Sequence, residues 1–180
     1  MALTNRFLKS FIKVPDEIFR VNFGLVVRLR EHLDPSRPPP GPFDLLTEAG
    51  KAKPRALDPA TYLFPNGASM RPNSRTLQNL VRRVKGDVYI YSVPAGVHLL
   101  GLLREVTTID IITCGGKGTE IPEHLILVHE FRDHFSLQAR REMTVEELNT
   151  QITDFLTTKG HCFAREQWLQ EYPHATYFWK

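Results

Sequence analysis

The sequence has few cysteines, no long apolar run and no signature of the common nucleotide-binding loops. Two cysteines, Cys114 and Cys162, among 180 residues are too few for a disulfide framework and are typical of a reducing compartment. No apolar run approaches the roughly 18 residues that span a bilayer, and the first residues lack the apolar core and cleavage site of a secretory signal peptide. We therefore expect a soluble, cytoplasmic protein that does not bind membranes.

Several catalytic signatures are missing as well. No P-loop or G-x-G-x-x-G fingerprint occurs, because the glycine-rich run at 115–118 has neither the spacing nor the Lys-Ser/Thr pair. The histidines of the segment 129–134 are five residues apart, whereas the zinc-protease motif needs four, so we expect no metal site. A hydrolase triad of Ser69, His134 and Asp133 is disfavoured because neighbouring strand residues point to opposite faces, and no G-x-S-x-G elbow is present.

The chain does contain enough apolar residues for a core, and its charge is distributed unevenly. Hydrophobic residues make up 42% of the sequence, and its length fits one domain, 1–180, with a proline-rich surface loop at 34–42. The formal net charge of +3 combines 15 basic and 7 acidic residues up to Lys85 with 8 basic and 13 acidic residues after it. Because the basic residues are spread over several elements without a stripe of aromatics, nucleic-acid binding is disfavoured.

Apolar residues spaced three and four apart predict several helices. Ser74 is placed to cap a helix that ends before Gly86, and Thr144 with Glu147 matches a capping box for a helix that runs to about residue 158. The same spacing predicts a packed amphipathic helix in the first 13 residues, a helix at 25–33 and a short helix from residue 165.

Alternating apolar and polar residues predict short strands between these helices. At 18–23, Phe19 and Val21 face one way while Arg20 and Asn22 share the other face, so this strand carries two polar groups on one side. Further strands are predicted at 62–64, 88–93, 125–129 and 134–137. Short strands with few helices are typical of an α+β fold.

Five segments of the chain together resemble one known family. They read NLVRRVKGD, IYSVPAG, GTEIPEHLILVHE, RDHFSLQ and MTVEELN. In combination they are similar to ADP-ribosyltransferase-like toxins, a family whose bacterial founder is the second "type six exported" effector and which has many fungal members. The resemblance covers about residues 17–158. It implies a fungal-type member, with small twisted sheets flanked by helices and with NAD bound in a cleft.

The resemblance also implies which residues form the site. The strand arginine of the family falls on Arg20, its serine on Ser69 and its histidine on His134, while Ala68 stands where the bacterial member has a threonine. An arginine can bind the pyrophosphate of NAD as a bidentate donor, the serine can contact the nicotinamide ribose, and the histidine can bind ribose or assist the nucleophile. A carboxylate commonly stabilises the oxocarbenium-like transition state, and Glu130 is the candidate here.

Three functions are compatible with these residues. The first is NAD-dependent transfer of ADP-ribose to an unknown acceptor by a toxin that acts inside a cell, with an immunity-type inhibitor as a further partner. The second is hydrolysis of NAD without a protein acceptor, and the third is a non-catalytic interaction protein that keeps the fold. The third function is favoured by Ala68, which removes a hydroxyl that the bacterial member has at the site, by the lack of a clear catalytic glutamate and by the insertion at 97–118.

One stretch has no counterpart in the family pattern V-P-x-G-T-x-I-P. The chain reads VPAG at 93–96 and resumes GTEIP only at 118–122, so residues 97–118 are predicted to be an insertion. A retained intron translated in frame would explain the break. A surface loop is the alternative, because the entropy of loop closure grows only slowly with length.

Overall fold

The computed structural model describes residues 8–33, 39, 41–95 and 119–178. Within these ranges the strands are β1 (Lys9–Phe11), β2 (Ile18–Asn22), β3 (Glu31–His32), β4 (Leu45–Glu48), β5 (Lys51–Ala52), β6 (Ala68–Met70), β7 (Tyr89–Val93), β8 (Leu125–Phe131), β9 (His134–Ala139), β10 (Met143–Thr144) and β11 (His161–Ala164). The helices are α1 (Arg75–Arg83), α2 (Val145–Lys159) and α3 (Arg165–Glu171), with two 3-10 helices at Arg55–Leu57 and Pro59–Thr61. The fold is α+β, as the sequence predicts.

The strands described form three small sheets. One sheet has the order β1-β8-β9-β6 and another has the order β11-β7-β2, and all neighbours in both are antiparallel. The remaining sheet has the order β10-β5-β4-β3, in which β3 and β4 are parallel. This division matters for the site, because β2 and β6 belong to different sheets.

Two backbone hydrogen bonds join the sheet of β6 to the sheet of β2. The N–H of Phe19 donates to the carbonyl of Arg71 at 2.6 Å, and the N–H of Arg71 donates back to Phe19 at 2.9 Å. Arg71 directly follows β6, so this bridge holds β2 beside the end of β6. The polar residues of β2 therefore lie next to Ser69, the central residue of β6.

Two of the predicted helices begin at their capping residues. The Ser74 hydroxyl accepts a hydrogen bond from the N–H of Leu77 at the start of α1, and Thr144 accepts one from Glu147 at the start of α2, both at 3.1 Å. α2 then buries one apolar face in the main core, which also contains residues of β2, β7, β8 and β9. Both helix predictions are confirmed, because capping and apolar spacing are local signals.

The predicted helix at 25–33 is wrong, because this segment is extended. Val27 and Leu29 are buried while the residues on either side of Leu29 are exposed. The backbone N–H groups of Val27 and Leu29 donate to side-chain oxygens of α2, those of Thr153 at 3.0 Å and Asn149 at 2.9 Å. These partners satisfy the backbone without a helix, so tertiary contacts outweigh the apolar spacing that predicts one.

Two other local predictions are also wrong. The helix expected in the first 13 residues is replaced in its described part by β1, because Lys9–Phe11 pairs in register with β8. The strand expected at 62–64 is not formed, because Tyr62 leaves a 3-10 helix and turns its side chain into the interior. The strand in this region begins at Ala68 instead.

The remaining strand predictions are confirmed within two residues at each end. They correspond to β2, β7, β8 and β9, and the short helix expected from residue 165 is α3. The predicted insertion at 97–118 lies outside the described residues, as does most of the proline-rich loop at 34–42.

A glycine directly before β6 marks a close backbone approach to β9. A Cβ on Gly67 would lie 2.4 Å from the backbone oxygen of Leu137. Gly67→Ala is therefore expected to push β6 away from β9 and to lower the free energy of unfolding by about 1–3 kcal/mol, as measured by urea denaturation. Gly41→Ala is the control, because nothing lies within 4 Å of its Cβ position. Equal effects of the two substitutions would contradict this packing argument.

Candidate active site

A cleft of about 380 Å³ opens where β2 and β6 meet. Arg20 and Asn22 of β2 line it together with Ser69 of β6 and Arg28 of the extended segment before β3. The structure thus brings Arg20 and Ser69, which are 49 residues apart in the chain, to one wall. His134 contacts this wall through the Ser69 hydroxyl.

Arg20 is a buried cation without an acidic partner. It is 7% exposed, lines the cleft, and its Nη1 donates to the backbone carbonyl of Ser69 at 3.1 Å. Among the residues that the structure describes, no carboxylate forms an ion pair with it, and its Nε has no hydrogen-bond partner. Burial lowers the pKa of the guanidinium from 12.5 to about 10, although the charge of Asp44 acts to raise it. Since a buried unpaired charge is unfavourable, this position is suited to an anionic ligand.

Three further arginines line the cleft, and two of them form ion pairs with carboxylates of the chain. Arg30 is paired with Asp44, with Nε to Oδ2 at 2.9 Å and Nη2 to Oδ1 at 3.1 Å. Arg71 is likewise paired, at 2.6 Å, with a carboxylate that does not line the cleft. Arg28 is exposed and forms no ion pair within the described ranges. Among the described residues that line the cleft, Arg20 and Arg28 are therefore the arginines without an ion pair.

The short strand β6 turns Ser69 outward and its two neighbours inward. Ser69 is exposed in the cleft, whereas Ala68 and Met70 are buried in the main core. The methyl group of Ala68 therefore packs in the interior, and the expectation that this alanine removes a hydroxyl from the site is corrected. One of the three grounds for a non-catalytic protein is weakened accordingly.

His134 contacts Ser69 through one ring nitrogen and Glu130 through the other. Its Nε2 lies 3.1 Å from Ser69 Oγ, and its Nδ1 lies 2.6 Å from Glu130 Oε2, a close contact that is not aligned as a hydrogen bond and that is an ion pair only when the histidine is protonated. The ring stacks on Phe131 with centroids 4.9 Å apart and meets Phe64 edge-on at 5.6 Å. A hydroxyl, an imidazole and a carboxylate in series can move a proton away from the hydroxyl.

Glu130 lies in the interior on the far side of His134 from Ser69. It is 1% exposed, the Tyr62 hydroxyl donates to its Oε1, and Gln138 Nε2 donates to the same oxygen at 3.3 Å. Burial, and then the charge of Glu130, raise the pKa of Tyr62, so the phenol stays protonated as a donor. Because Glu130 does not line the cleft, it can act on a bound substrate only through the histidine.

Asp133, the sequence neighbour of His134, points elsewhere. One of its oxygens pairs with Arg71 at 2.6 Å, and the other accepts a hydrogen bond from the Ser74 hydroxyl at 2.5 Å. These contacts tie the turn between β8 and β9 to the start of α1. The hydrolase triad that would need Asp133 is therefore not formed, and Glu130 contacts the histidine instead.

Most of the chain matches one family model, that of the Tse2 ADP-ribosyltransferase toxin, over residues 16–168. The chain belongs to the Tse2 ADP-ribosyltransferase toxin family. No curated protein and no solved structure matches it. The matched range contains β2, β6 and the β8–β9 hairpin, and so the whole cleft wall described above. The protein is an ADP-ribosyltransferase-like toxin, and NAD is the substrate that ADP-ribosyltransferases use.

Two parts of this Tse2-family site are not predicted from the sequence. The first is Arg28, which lies in the segment predicted to be a helix, although the alternation of apolar and charged residues there was an available signal. The second is the pair of residues that donate hydrogen bonds to Glu130, namely Tyr62 and Gln138. No local signal marks Tyr62, because its partner Glu130 is 68 residues further along the chain.

The Asp133 carboxylate of this Tse2-family toxin makes stability depend on pH. Burial acts to raise the pKa of Asp133, but the hydrogen bond from Ser74 and the charge of Arg71 outweigh it, so the pKa lies below its ordinary value of 3.8. A lowered pKa stabilises the folded state above the unfolded pKa, and this contribution is lost as pH falls through the folded pKa.

We therefore expect the melting temperature of the wild type to exceed that of Asp133→Asn most clearly above about pH 5. The difference should shrink below about pH 4, where the carboxylate is increasingly protonated. Thermal denaturation of both proteins over this pH range measures the effect. A difference that does not change with pH would show that the charge of Asp133 contributes nothing to stability.

Among residues 8–33, 39, 41–95 and 119–178, no group of three or more His, Cys, Asp or Glu side chains is placed to hold a metal ion. No helix in the same ranges is both long enough and apolar enough to cross a bilayer.

Proposed function

We propose that this protein is an active, NAD-dependent mono-ADP-ribosyltransferase. It breaks the bond between nicotinamide and ribose and transfers ADP-ribose to an acceptor inside a cell. The observation that supports this most directly is Arg20, a buried guanidinium without an acidic partner at the cleft of a Tse2-family chain. An anion bound at this position would offset the free-energy cost of the buried charge.

The charge of the cleft fits the pyrophosphate of NAD. That group carries two negative charges near neutral pH, and Arg20 and Arg28 offer two positive charges that form no ion pair with any carboxylate in the described part of the chain. Guanidinium groups bind phosphate oxygens through paired, charge-assisted hydrogen bonds, which are roughly twice as strong as neutral ones. Arg30 is already held by Asp44, so it shapes the cleft without adding net charge.

Ser69 is proposed to contact the ribose that carries the nicotinamide, and His134, which is 5% exposed and does not line the cleft, is proposed to act through the Ser69 hydroxyl. Ser69 offers an exposed hydroxyl on the same wall as Arg20, and His134 is held against that hydroxyl. Glu130 is proposed as a positioning residue, which orients His134 and stabilises its charged form. This role differs from direct stabilisation of the oxocarbenium-like state, because Glu130 does not reach the cleft.

The proposal extends to features outside the cleft. We propose that the chain is of the fungal type of the family. It forms one domain, 1–180, with a surface loop at 34–42 and an insertion at 97–118. It acts in the cytoplasm. An immunity-type inhibitor that covers the cleft is a proposed partner. Hydrolysis of NAD is the second candidate function, because the exposed position of Ser69 leaves the cleft open to water.

The test is release of nicotinamide from NAD by the purified protein. His134→Asn is expected to slow the release by at least about 10²-fold, because a positioned acid or base contributes about 10²–10⁴ in rate. His161→Asn is the matched control, because His161 is exposed on β11 and does not line the cleft. NAD labelled in its adenosine part then separates transfer from hydrolysis.

Inducible expression in a heterologous cell tests the toxin in parallel. The chain is expressed with and without residues 97–118, and the wild-type site is compared with His134→Asn. Growth arrest that requires His134 is the expected result. A wild type that neither arrests growth nor releases nicotinamide in either form would overturn the proposed function.

A further inference from the structure

Three residues of the site are arranged as a nucleophile, its base and a carboxylate beyond the base. Ser69 Oγ lies 3.1 Å from His134 Nε2, and His134 Nδ1 lies 2.6 Å from Glu130 Oε2. We propose that Ser69 is itself a nucleophile, whose hydroxyl accepts ADP-ribose from NAD when no other acceptor is present. This inference rests on the proposed function, because NAD is the donor.

The surroundings of His134 suit it to act as the base. A serine hydroxyl is a weak nucleophile until a neighbouring base takes its proton, and an imidazole does so best when a carboxylate orients it and stabilises the imidazolium. Glu130 is 1% exposed and is fixed by donors from Tyr62 and Gln138. Its charge therefore acts on the histidine with little screening by water.

The neighbouring hydroxyls are not equivalent to that of Ser69. The Ser74 hydroxyl is buried and donates to Asp133 at 2.5 Å. The Ser136 hydroxyl is buried as well, where it accepts a hydrogen bond from Gln138 at 2.6 Å. Ser69 alone among these three serines is exposed, lines the cleft and contacts a histidine.

The transfer to Ser69 balances without a further reactant. Ser69 Oγ forms a bond to the anomeric carbon of the nicotinamide ribose, while the bond from that carbon to the nicotinamide nitrogen breaks. Nicotinamide leaves as a neutral molecule with the electron pair. The hydroxyl proton passes to His134 Nε2 and then to water, and the product is ADP-ribose joined to Ser69 through a C–O bond.

The position of Ser69 limits this modification to one event per chain. The attached ADP-ribose lies in the cleft that would bind NAD, so a modified chain does not bind a second molecule there. We therefore expect at most one ADP-ribose per chain, and we expect NAD binding to disappear in proportion to the modification.

The experiment is an intact-mass measurement of the full chain after incubation with NAD and no other protein. Fragmentation of the tryptic peptide that spans residues 56–75 then locates the group, since this peptide contains both Ser69 and Ser74. The expected result is one ADP-ribose on Ser69. Ser69→Ala should carry none, and Ser10→Ala, on β1, should be modified like the wild type.

A variant of Glu130 tests the relay separately from the acceptor. Glu130→Gln keeps the size of the side chain and removes its charge, so it is expected to slow modification of Ser69 at least about tenfold. Glu130→Asp, which keeps the charge on a shorter side chain, is expected to recover part of this rate, because the relay needs the charge that stabilises the imidazolium. A purely structural role for Glu130 predicts no such recovery.

Each outcome decides between the inference and the function on which it rests. Release of nicotinamide by the wild type without any ADP-ribose on Ser69 overturns the inference and leaves the proposed function in place. Equal rates of modification in the wild type and Glu130→Gln overturn the relay. Absence of both nicotinamide release and modification overturns inference and function together. The location of the group in the wild-type chain decides the first case even where a variant fails to fold.

Discussion

Replacing Arg20 by methionine is expected to weaken NAD binding strongly and, at the same time, to stabilise the fold. The charged side chain is disfavoured by burial, because its pKa of about 10 in place of 12.5 corresponds to about 3 kcal/mol. Methionine has a similar length and no charge, so it removes this cost. The hydrogen bond to the Ser69 carbonyl is lost, at about 1 kcal/mol. We expect the free energy of unfolding to rise by about 1–2 kcal/mol.

Arg20→Met is expected to weaken NAD binding although it stabilises the fold, because this guanidinium is the contact proposed for the pyrophosphate. Removing one partner of a buried charged contact costs about 2–5 kcal/mol, which raises the Kd for NAD by at least about 30-fold. Calorimetric titration with NAD measures the affinity, and urea denaturation measures the stability.

The control for Arg20→Met is Arg83→Met, which replaces an exposed arginine at the end of α1 that does not line the cleft. We expect it to leave both quantities unchanged. Normal NAD binding by Arg20→Met would contradict the assigned contact. A loss of stability in that variant would instead show that the cation supports the fold.

The fold is predictable from the sequence where the deciding contacts are local. Ser74 and Thr144 mark helix starts through partners three residues away, and the alternation at 18–22 is a property of the strand itself. The helix prediction for the segment at 25–33 is wrong for the opposite reason. Its backbone donors at Val27 and Leu29 bind side chains 126 and 120 residues further along, and no local pattern encodes those partners.

The same distinction between local and distant contacts applies to the residues of the candidate site. Arg20, Ser69 and His134 are found through a resemblance to a family, and the structure brings them into contact. The same motifs suggest Glu130 but do not show that it lies in the interior, because its position depends on donors from distant parts of the chain. Roles that depend on burial, such as the positioning role now proposed for Glu130, therefore require the tertiary structure.

The second large effect is expected at Trp168, where alanine should lower the free energy of unfolding by about 3–5 kcal/mol. Trp168 is 0% exposed and is the largest fully buried side chain among the described residues, and its ring lies 5.5 Å from Phe19 and 5.4 Å from Tyr172 between centroids. Small domains have a total stability of about 5–15 kcal/mol. Trp168→Ala therefore removes a large share of it, as urea denaturation should show.

Trp168→Phe separates lost volume from lost polarity. The indole Nε1 of Trp168 has no hydrogen-bond partner among the described residues, so phenylalanine removes a buried polar atom that contributes nothing. We expect this variant to lose less than about half as much stability as the alanine variant. Similar losses in both variants would contradict the view that Trp168 acts by filling space.

The loss at Trp168 should also reach the cleft, because Phe19 packs on this ring and its backbone forms the bridge to Arg71 that holds β2 beside β6. Under conditions where Trp168→Ala is still folded, we expect it to bind NAD more weakly than Trp168→Phe, although neither substitution lies in the cleft. Calorimetric titration of the two folded variants measures the difference. Equal affinities would show that the bridge at Phe19 holds the cleft without support from α3.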